Sequence, residues 1–330
     1  MDPARIIQAS NEGAISMAAE MLRRGGLVVF PTETVYGLGA DACNPIAVAR
    51  VFEVKRRPAI DPLIIHVADA ESARSYAEIP DKWAPALMKR FWPGPLTLVV
   101  SKLPSVPPIV TAGLDTVAIR VPSHPVAQAL IRASGTAVAA PSANPFGYVS
   151  PTRAEHIRGE LFDQIDLLLD GGPCEVGLES TIVSLVGPSP MILRAGGITV
   201  EEIAQVLELE SVRISAKSRA FPEAPGQLAR HYATHTPFDI VQDDDQEAYL
   251  CTGARVGLLS LKSPSRPGQF ASVEVLSETG DLREAAANLF AALRKLDMLG
   301  LDRIIASPIP EKGLGIAIMD RLRRCATRNA

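Results

Sequence analysis

The chain has 330 residues, of which 47% are hydrophobic and 21% charged, and its formal net charge is −4. This length favours two domains, and the composition excludes wholesale disorder. The nearly balanced charge does not support a long track of phosphate contacts, so we expect no stable nucleic-acid binding. The apolar runs are shorter than the roughly 20 residues that span a membrane, and the N-terminus lacks a basic start followed by an apolar stretch. We therefore expect a cytoplasmic protein without a signal peptide.

Short aliphatic runs bordered by glycine or proline predict strands through the first two thirds of the chain. These strands are predicted at 27–30, 63–67, 96–100, 117–121, 137–140, 165–170, 180–186 and 191–195. Between them, the segment 125–134 predicts an amphipathic helix that Ser123 or His124 can cap and Gly135 ends. Strands and helices that alternate in this way are typical of an α/β domain over residues 1–210.

Residues 211–237 show no sustained periodicity and are rich in Ser, Lys, Arg, Pro and Gly. A connection of this length is usually functional or a flexible linker. A second alternating unit follows over 238–330, with predicted strands at 255–261, 272–276 and 303–309 and helices at 281–299 and about 314–328. This pattern predicts a smaller α/β domain with some parallel strands.

Metal and disulfide chemistry have little support. The four cysteines lie far apart and form no Cys-x-x-Cys pair: Cys43, Cys174, Cys251 and Cys325. This spacing favours reduced thiols and disfavours a zinc site. His231 and His235 are four residues apart, as zinc ligands on a helix are, but no acidic third ligand is obvious and the neighbouring Pro and Thr disfavour a helix. We expect no protein-held metal.

Unusual polar residues gather in loops at the ends of predicted strands. The first loop, PTETVYGLGADA at 31–42, disfavours a helix and suits a loop that brings backbone and hydroxyl groups to a ligand, with an ordinary polar turn as the alternative. The second contains Lys55 and Arg57 next to Pro58, an arrangement that favours fixed phosphate contacts over a solvated face. His66 lies in the apolar strand that follows, where a hydrogen-bonded core histidine is the alternative.

Two further loops carry polar groups. Arg120 lies inside an apolar strand, and because an unpaired buried arginine is costly, it implies a carboxylate partner from the protein or from a ligand. Ser142 and Asn144 lie on a turn between two prolines. In the last loop, Ser180 begins a predicted strand, and Arg194 ends the next one.

Together these motifs resemble the YrdC-like family of threonylcarbamoyl-AMP synthases, in its longer two-domain form. The similar segments, which cover nearly the whole chain, are PTETVYGLGADA, KRRP with DPLIIH, FWPGPLTLV, AIRVPSHP, APSAN, SPT, GLESTIV, ILRAGGIT, PGQLARHYA and GLGIAIMDRL. The sequence departs from the family pattern at Arg56, where glycine is usual, and at Asp61, where asparagine is usual.

The resemblance implies an open twisted α/β domain with a large concave, positively charged cavity, followed by a smaller Rossmann-like domain. It implies these residues around L-threonine, with Arg120 on the substrate carboxylate: Thr34, His66, Arg120, Ala140 and Ser180. It implies these residues on the ATP side: Lys55, Arg57, Asp61, Thr116, Ser142, Asn144, Ser150, Arg194 and Tyr232. Lys55 and Arg57 are the expected catalytic residues, and the segment 211–237 is the expected lid.

The implied reaction is that of a nucleotidyltransferase that joins L-threonine, bicarbonate and ATP into threonylcarbamoyl-AMP, the first step of a tRNA modification. Mg²⁺ is expected to arrive with the ATP phosphates rather than in a protein cage. The product would pass to the tRNA threonylcarbamoyl-transferase machinery. Two alternatives are a carbamoyl transferase of hydrogenase maturation, which would add paired-cysteine zinc modules, and a non-catalytic RNA-binding module, which the near-neutral charge disfavours.

Overall fold

The protein is described by a computed structural model that covers residues 5–215, 222–228, 231–250 and 253–327. Twelve strands in the first of these ranges form one mixed sheet. They are β1 (Arg5–Gln8), β2 (Val28–Pro31), β3 (Tyr36–Asp41), β4 (Ile64–His66), β5 (Ala77–Glu78), β6 (Leu96–Lys102), β7 (Thr116–Arg120), β8 (Val138–Ala139), β9 (Leu167–Asp170), β10 (Thr181–Ser184), β11 (Met191–Arg194) and β12 (Arg213–Ile214). Their order is β1-β9-β2-β3-β8-β4-β7-β6-β10-β11-β12, with β5 paired to β6.

Helices connect and cover these strands. They are α1 (Ala14–Arg23), α2 (Pro45–Lys55), α3 (Ala70–Ala73), α4 (Ala84–Phe91), α5 (Pro125–Ser134), α6 (Glu160–Asp163) and α7 (Val200–Val206). The predicted helix at 125–134 is confirmed as α5: the His124 side chain accepts a hydrogen bond from the Val126 amide, and Gly135 ends the helix in the left-handed conformation. Asn44 caps α2 in the same way, by accepting from the amides of Ile46 and Ala47.

Every strand predicted in this part of the chain is present, but the expected loop at 31–42 is wrong over half its length. Tyr36–Asp41 is strand β3, antiparallel to β2 and β8. Glycine usually weakens a strand, yet here it permits a close approach, since a Cβ on Gly39 would lie 2.7 Å from Phe30 Cε1 and 2.9 Å from Val138 Cγ1. Only residues 32–35 form the turn between β2 and β3.

A second sheet lies in the C-terminal part of the chain. Its strands are β13 (Phe238–Ile240), β14 (Val256–Ser260), β15 (Ser272–Val275) and β16 (Arg303–Ala306), and its helices are α8 (Gln246–Leu250), α9 (Leu282–Asp297) and α10 (Leu314–Ala326). The order is β13-β16-β14-β15, and every pair is parallel. The expected α/β class with a smaller second unit is thus confirmed, with β13 as an additional, unpredicted strand.

The two units share one apolar core. Val35, Val149 and Leu178, next to the polar loops of the first sheet, are buried in the same cluster as side chains of α9 and α10. Gly177 packs so closely on α9 that a Cβ there would lie 2.5 Å from Ala287 Cα. In the part of the chain that the structure describes, no helix is long and apolar enough to cross a membrane.

Candidate active site

A single cavity gathers most of the polar residues that the sequence analysis selects. The empty space in it, which includes open solvent at its entrance, is about 520 Å³. It is lined by Thr32, Thr34, Val35, Gly37, Arg57, Ile64, His66, Arg120, Ala140, Pro141, Ser142, Glu179, Ser180, Arg194, Pro225 and His231. All five residues expected around threonine are in this set, together with three expected on the ATP side: Arg57, Ser142 and Arg194.

Arg120 ends β7 and is buried at the cavity wall. Its Nη1 donates to Thr34 Oγ1 at 3.0 Å, and its Nε donates to the Gly94 carbonyl at 3.1 Å. Its Nη2 lies 2.7 Å from Glu33 Oε1, so the carboxylate partner that the sequence implies is present within the protein. This contact is an ion pair without hydrogen-bond alignment. Arg120 Nη2 makes no hydrogen bond to a described residue.

Glu33 is almost fully buried beside Arg120. Burial favours the neutral carboxyl, but the charge of Arg120 together with neighbouring donors outweighs this effect, and the pKa of Glu33 is lowered. The pair is therefore ionised, and Glu33 reduces the net positive charge on the threonine side of the cavity.

His66 ends β4 directly beside Arg120, because β4 and β7 are parallel with these two residues in register. Burial, and then the charge of Arg120, lowers the pKa of His66 to about 3. The imidazole is therefore neutral near pH 7. Its Nδ1 has no hydrogen-bond partner among the described residues, although it is buried at the cavity wall.

Ser180 precedes β10 and is held from two sides. Its hydroxyl lies 2.7 Å from Thr97 Oγ1 and accepts a hydrogen bond from Arg194 Nη2 at 3.1 Å. Arg194 also donates from Nε and Nη2 to the Ser180 carbonyl, at 3.2 and 3.0 Å. The Arg194 side chain thus fixes Ser180 while its guanidinium borders the cavity.

Two buried basic side chains lie at the end of α2 and just after it: Lys55 and Arg57. Arg57 Nη2 lies 2.9 Å from Asp61 Oδ2, and Arg57 also donates to the carbonyl oxygens of Asp61 and Pro62. Burial raises the pKa of Asp61, while Arg57, Lys55 and Arg194 act in the opposite direction. Asp61 thus pairs with a basic neighbour. It is not among the residues that line the cavity.

Lys55 does not line the cavity in this structure. Its ammonium group donates to the carbonyl oxygens of Ser142 and Asn144, and the side chain is fully buried. Burial, and then the charge of Arg57, lowers the pKa of Lys55 well below its usual value. The contacts brace the turn at 142–144, so Lys55 shapes the cavity from behind.

The other residues expected on the ATP side lie behind the cavity or away from it. Asn144 donates to the carbonyls of Pro145 and Tyr148, and the Ser150 hydroxyl donates to Glu179 at 2.6 Å. Tyr232 is buried against Phe290 of α9. Thr116 starts β7 and shares a sheet face with Arg120, but it lies at the opposite end of the strand.

Part of the expected lid reaches the site. Pro225 and His231 line the cavity, and Ala224 is buried with Ile64 and Ala118 on the face of the sheet beside it. Residues 216–221 and 229–230 of this segment, and Cys251, lie outside the described residues.

Four functional candidates were not predicted from the sequence: Glu33, Glu179, His231 and Arg321. Glu33 and Glu179 are each within a quoted motif, but no pattern distinguishes them from surface carboxylates. The burial of Arg321 could have been predicted from the sequence, because it lies seven residues after Leu314 and so falls on the apolar face of the last helix.

His231 and His235 lie against different aromatic side chains. The His231 ring makes edge contacts with the rings of Phe146 and Tyr232, whereas the His235 ring is tilted against that of Tyr148. Across residues 5–215, 222–228, 231–250 and 253–327, no group of three His, Cys, Asp or Glu side chains is placed to hold a metal ion.

The cavity is lined by the guanidinium groups of Arg57, Arg120 and Arg194 together with hydroxyl and neutral imidazole groups, a composition that suits small anionic ligands. A family model described as telomere recombination (Sua5/YciO/YrdC) matches residues 20–196, and one described as threonylcarbamoyl-AMP synthase, C-terminal domain, matches residues 198–327. The chain therefore belongs to the Sua5/YciO/YrdC family, in the two-domain form, as the motifs indicate.

Similar proteins match this chain along nearly its full length. The chain is 43% identical to threonylcarbamoyl-AMP synthase from Pyrococcus abyssi (strain GE5 / Orsay), over 96% of this chain and 94% of that protein. It is 42% identical to the protein of that name from Bacillus subtilis (strain 168), with the same coverage. The crystal structure of P. abyssi Sua5 complexed with L-threonine matches with a TM-score of 0.91 and 42% identity, over 98% of both chains.

Proposed function

We propose that this chain is a threonylcarbamoyl-AMP synthase, a nucleotidyltransferase that converts L-threonine, bicarbonate and ATP into L-threonylcarbamoyl-AMP and pyrophosphate. The observation that carries the proposal is the convergence of Arg120, His66 and Ser180 with Arg57 and Arg194 in one cavity. Family membership and the names of the similar proteins support the same activity.

The threonine side fits an amino acid whose amine must react. Arg120 Nη2 is a buried donor without an aligned acceptor, which a substrate carboxylate would supply. His66 is neutral, so it adds no positive charge that would compete with the substrate's amine, and with Thr34 and Ser180 it can hydrogen-bond the amine and hydroxyl. Ala140 contributes an apolar surface for the substrate methyl group.

The chemistry needs no covalent enzyme intermediate. With CO₂, the amine nitrogen bonds to the carbon and a proton is released to give a carbamate. With bicarbonate, the same N–C bond forms while the bond to the bicarbonate hydroxyl breaks, and the hydroxyl leaves as water with the amine's proton. A carbamate oxygen then bonds to the α-phosphorus of ATP while the bond to the pyrophosphate oxygen breaks. Arg57 and Arg194 would stabilise charge on the phosphates, and Lys55 would act by holding the turn at Ser142.

Mg²⁺ would enter with ATP, where it supplies charge neutralisation on the phosphates. The carboxylate that lines the cavity, Glu179, is already paired with Arg321, and Asp61 with Arg57, so the described residues fit a metal carried by the nucleotide better than a protein cage. We expect turnover to require added Mg²⁺ and to be lost with a chelator.

A carbamate loses CO₂ and a mixed anhydride hydrolyses, so the site should exclude water. The segment 211–237 would act as a lid, since Pro225 and His231 border the cavity. The labile product would then be consumed by a transferase that modifies tRNA, and a cytoplasmic location would suit this transfer.

The test is pyrophosphate release from ATP by purified protein with bicarbonate, with and without L-threonine. We expect release that depends on both threonine and bicarbonate. The variant Arg57→Met should lose a hundredfold or more in rate, since removing one donor from such a site costs about 3–4 kcal/mol. The variant Arg90→Met is the matched control, because it makes the same change at an exposed position. Folded protein that releases no pyrophosphate with any amino acid would contradict the proposal and favour a binding module.

A further inference from the structure

Arg321 is the largest fully buried side chain among the described residues, and it comes from α10 of the C-terminal unit. Its Nε and Nη2 both donate to Glu179 Oε2, at 3.1 Å each, and its Nη1 donates to the Ala195 carbonyl at 2.8 Å. A guanidinium from the second unit thus holds Glu179, a residue that lines the cavity in the first unit.

Glu179 also contacts Ser150. The second carboxylate oxygen of Glu179 accepts a hydrogen bond of 2.6 Å from the Ser150 hydroxyl. The Ser150 carbonyl in turn accepts from Nε of Arg294, on α9, at 3.3 Å. Two arginines from the two long helices of the C-terminal unit therefore converge on Ser150, one directly and one through Glu179.

Arg321 also contacts the segment that contributes His231 to the cavity lining. Its guanidinium carbon lies 5.1 Å from the centre of the Tyr232 ring, in cation–π geometry. Phe290 of α9 stacks on the same ring, with ring centres 5.5 Å apart. Tyr232 follows His231 in the sequence, and His231 lines the cavity.

Ser150 and Ser180 differ in how much they depend on this arrangement. The Ser180 hydroxyl contacts Thr97 Oγ1 and accepts from Arg194, and neither contact involves the C-terminal unit. The Ser150 hydroxyl donates to Glu179, whose carboxylate Arg321 holds. Loss of Arg321 should therefore disturb Ser150 more than Ser180.

We propose that Arg321 is a positioning residue: through Glu179 it fixes Ser150, and through Tyr232 it fixes His231 at the cavity lining, so that the C-terminal unit sets the affinity for ATP. The inference rests on the proposed function, in which Ser150 belongs to the ATP side and Ser180 to the threonine side. A buried ion pair that only stabilises the fold is the competing explanation.

Four variants separate these explanations. Arg321→Met leaves the Glu179 carboxylate buried without its partner, whereas the double variant Arg321→Met/Glu179→Gln removes both charges at nearly constant shape. Arg321→Lys keeps the charge but loses the two-pronged contact. Arg323→Met is the matched control, because Arg323 lies on the same helix and pairs with Glu311 at the surface.

The measurements are the melting temperature, kcat, the KM values for ATP and threonine, and calorimetric affinity for a non-hydrolysable ATP analogue, all at a temperature where each variant is folded. We expect Arg321→Met to lower the melting temperature and to raise the KM for ATP about 10- to 100-fold, with a smaller change for threonine. The double variant should recover the melting temperature but not the KM for ATP. Arg321→Lys should fall between Arg321→Met and the wild type, and Arg323→Met should match the wild type.

Recovery of both stability and ATP affinity in the double variant would overturn the proposal, as would an unchanged KM for ATP in folded Arg321→Met. If the wild type binds the ATP analogue but releases no pyrophosphate, the proposed function fails while the analogue affinities still decide the role of Arg321. A wild type that neither binds nor turns over ATP overturns both.

Discussion

His66 makes the stability of the protein depend on pH. Burial and Arg120 lower its pKa to about 3 in the folded protein, whereas an unfolded histidine titrates near 6.5. Because the unfolded state takes up the proton first, this residue's contribution to the free energy of unfolding is complete above about pH 6.5 and is lost as the pH falls below it. His231, whose pKa burial also lowers, acts in the same direction.

We therefore expect the wild type to lose free energy of unfolding between pH 7.5 and 5.5, with about 1.4 kcal/mol of the loss due to His66. Urea unfolding of the wild type and of His66→Gln at both pH values tests this. The variant should lose about 1.4 kcal/mol less over the same pH change, whatever its stability at pH 7.5. Equal losses in the two proteins would contradict a neutral His66.

Asp61 offers a test of the charge balance on the ATP side. It is buried, and its Oδ2 lies 2.9 Å from Arg57 Nη2. Asp61→Asn keeps an oxygen for Arg57 and removes a carboxylate beside Arg57, which lines the cavity on the proposed ATP side. The KM for ATP should fall roughly fivefold, which corresponds to about 1 kcal/mol after screening.

Steady-state kinetics of Asp61→Asn should be compared with those of Asp81→Asn, which makes the same charge change at an exposed position. The control should leave the KM for ATP unchanged. An unchanged KM in Asp61→Asn would mean that Asp61 is already protonated, and a higher KM would mean that its charge orients Arg57.

At the residue scale, sequence reasoning selects polar side chains inside or at the end of apolar strands. Arg120, His66 and Arg194 are selected in this way, and all three line the cavity. Glu179 is not found, because its partner Arg321 lies 142 positions away and nothing local indicates that the carboxylate is buried. A buried ion pair is a property of the folded chain, so one half of it cannot be recognised alone.

At the element scale, strand β3 shows how a local rule can fail. Its two glycines suggest a loop, but the strand packs against Phe30 and Val138 so closely that Gly39 cannot carry a side chain. Packing between strands therefore overrides the low strand preference of glycine. Strand β13, of only three residues, is missed because such a short segment has no detectable alternation.

Gly39→Ala should therefore destabilise the protein by about 1–3 kcal/mol, because its Cβ would overlap Phe30 and Val138. Gly268→Ala is the control, since a Cβ there meets no atom within 4 Å and the backbone has no positive φ. Urea unfolding measures both. A Gly39→Ala variant as stable as Gly268→Ala would show that β3 packs less tightly than described.

At the scale of the whole molecule, the close contact at Gly177 joins the two units beside the cavity. A Cβ there would lie 2.5 Å from Ala287 Cα, and φ is +69°. Gly177→Ala should displace α9 from the loop that carries Glu179 and Ser180. We expect a loss of at least about 2 kcal/mol in stability and a raised KM for ATP.

Calorimetric unfolding and steady-state kinetics of Gly177→Ala test this coupling between the units. Gly187→Ala is the control, because its Cβ would meet its nearest atom only at 3.7 Å. A destabilised Gly177→Ala protein with an unchanged KM for ATP would show that the interface supports the fold without shaping the site.

The most direct test of the central claim is the fate of bicarbonate carbon. Purified protein with L-threonine, ATP, Mg²⁺ and ¹³C-labelled bicarbonate should yield an adenylate whose mass equals that of threonylcarbamoyl-AMP with a single ¹³C atom. Control reactions without threonine should yield none. An adenylate that contains threonine but no label would show that ATP activates the amino acid's own carboxylate, which would contradict the account.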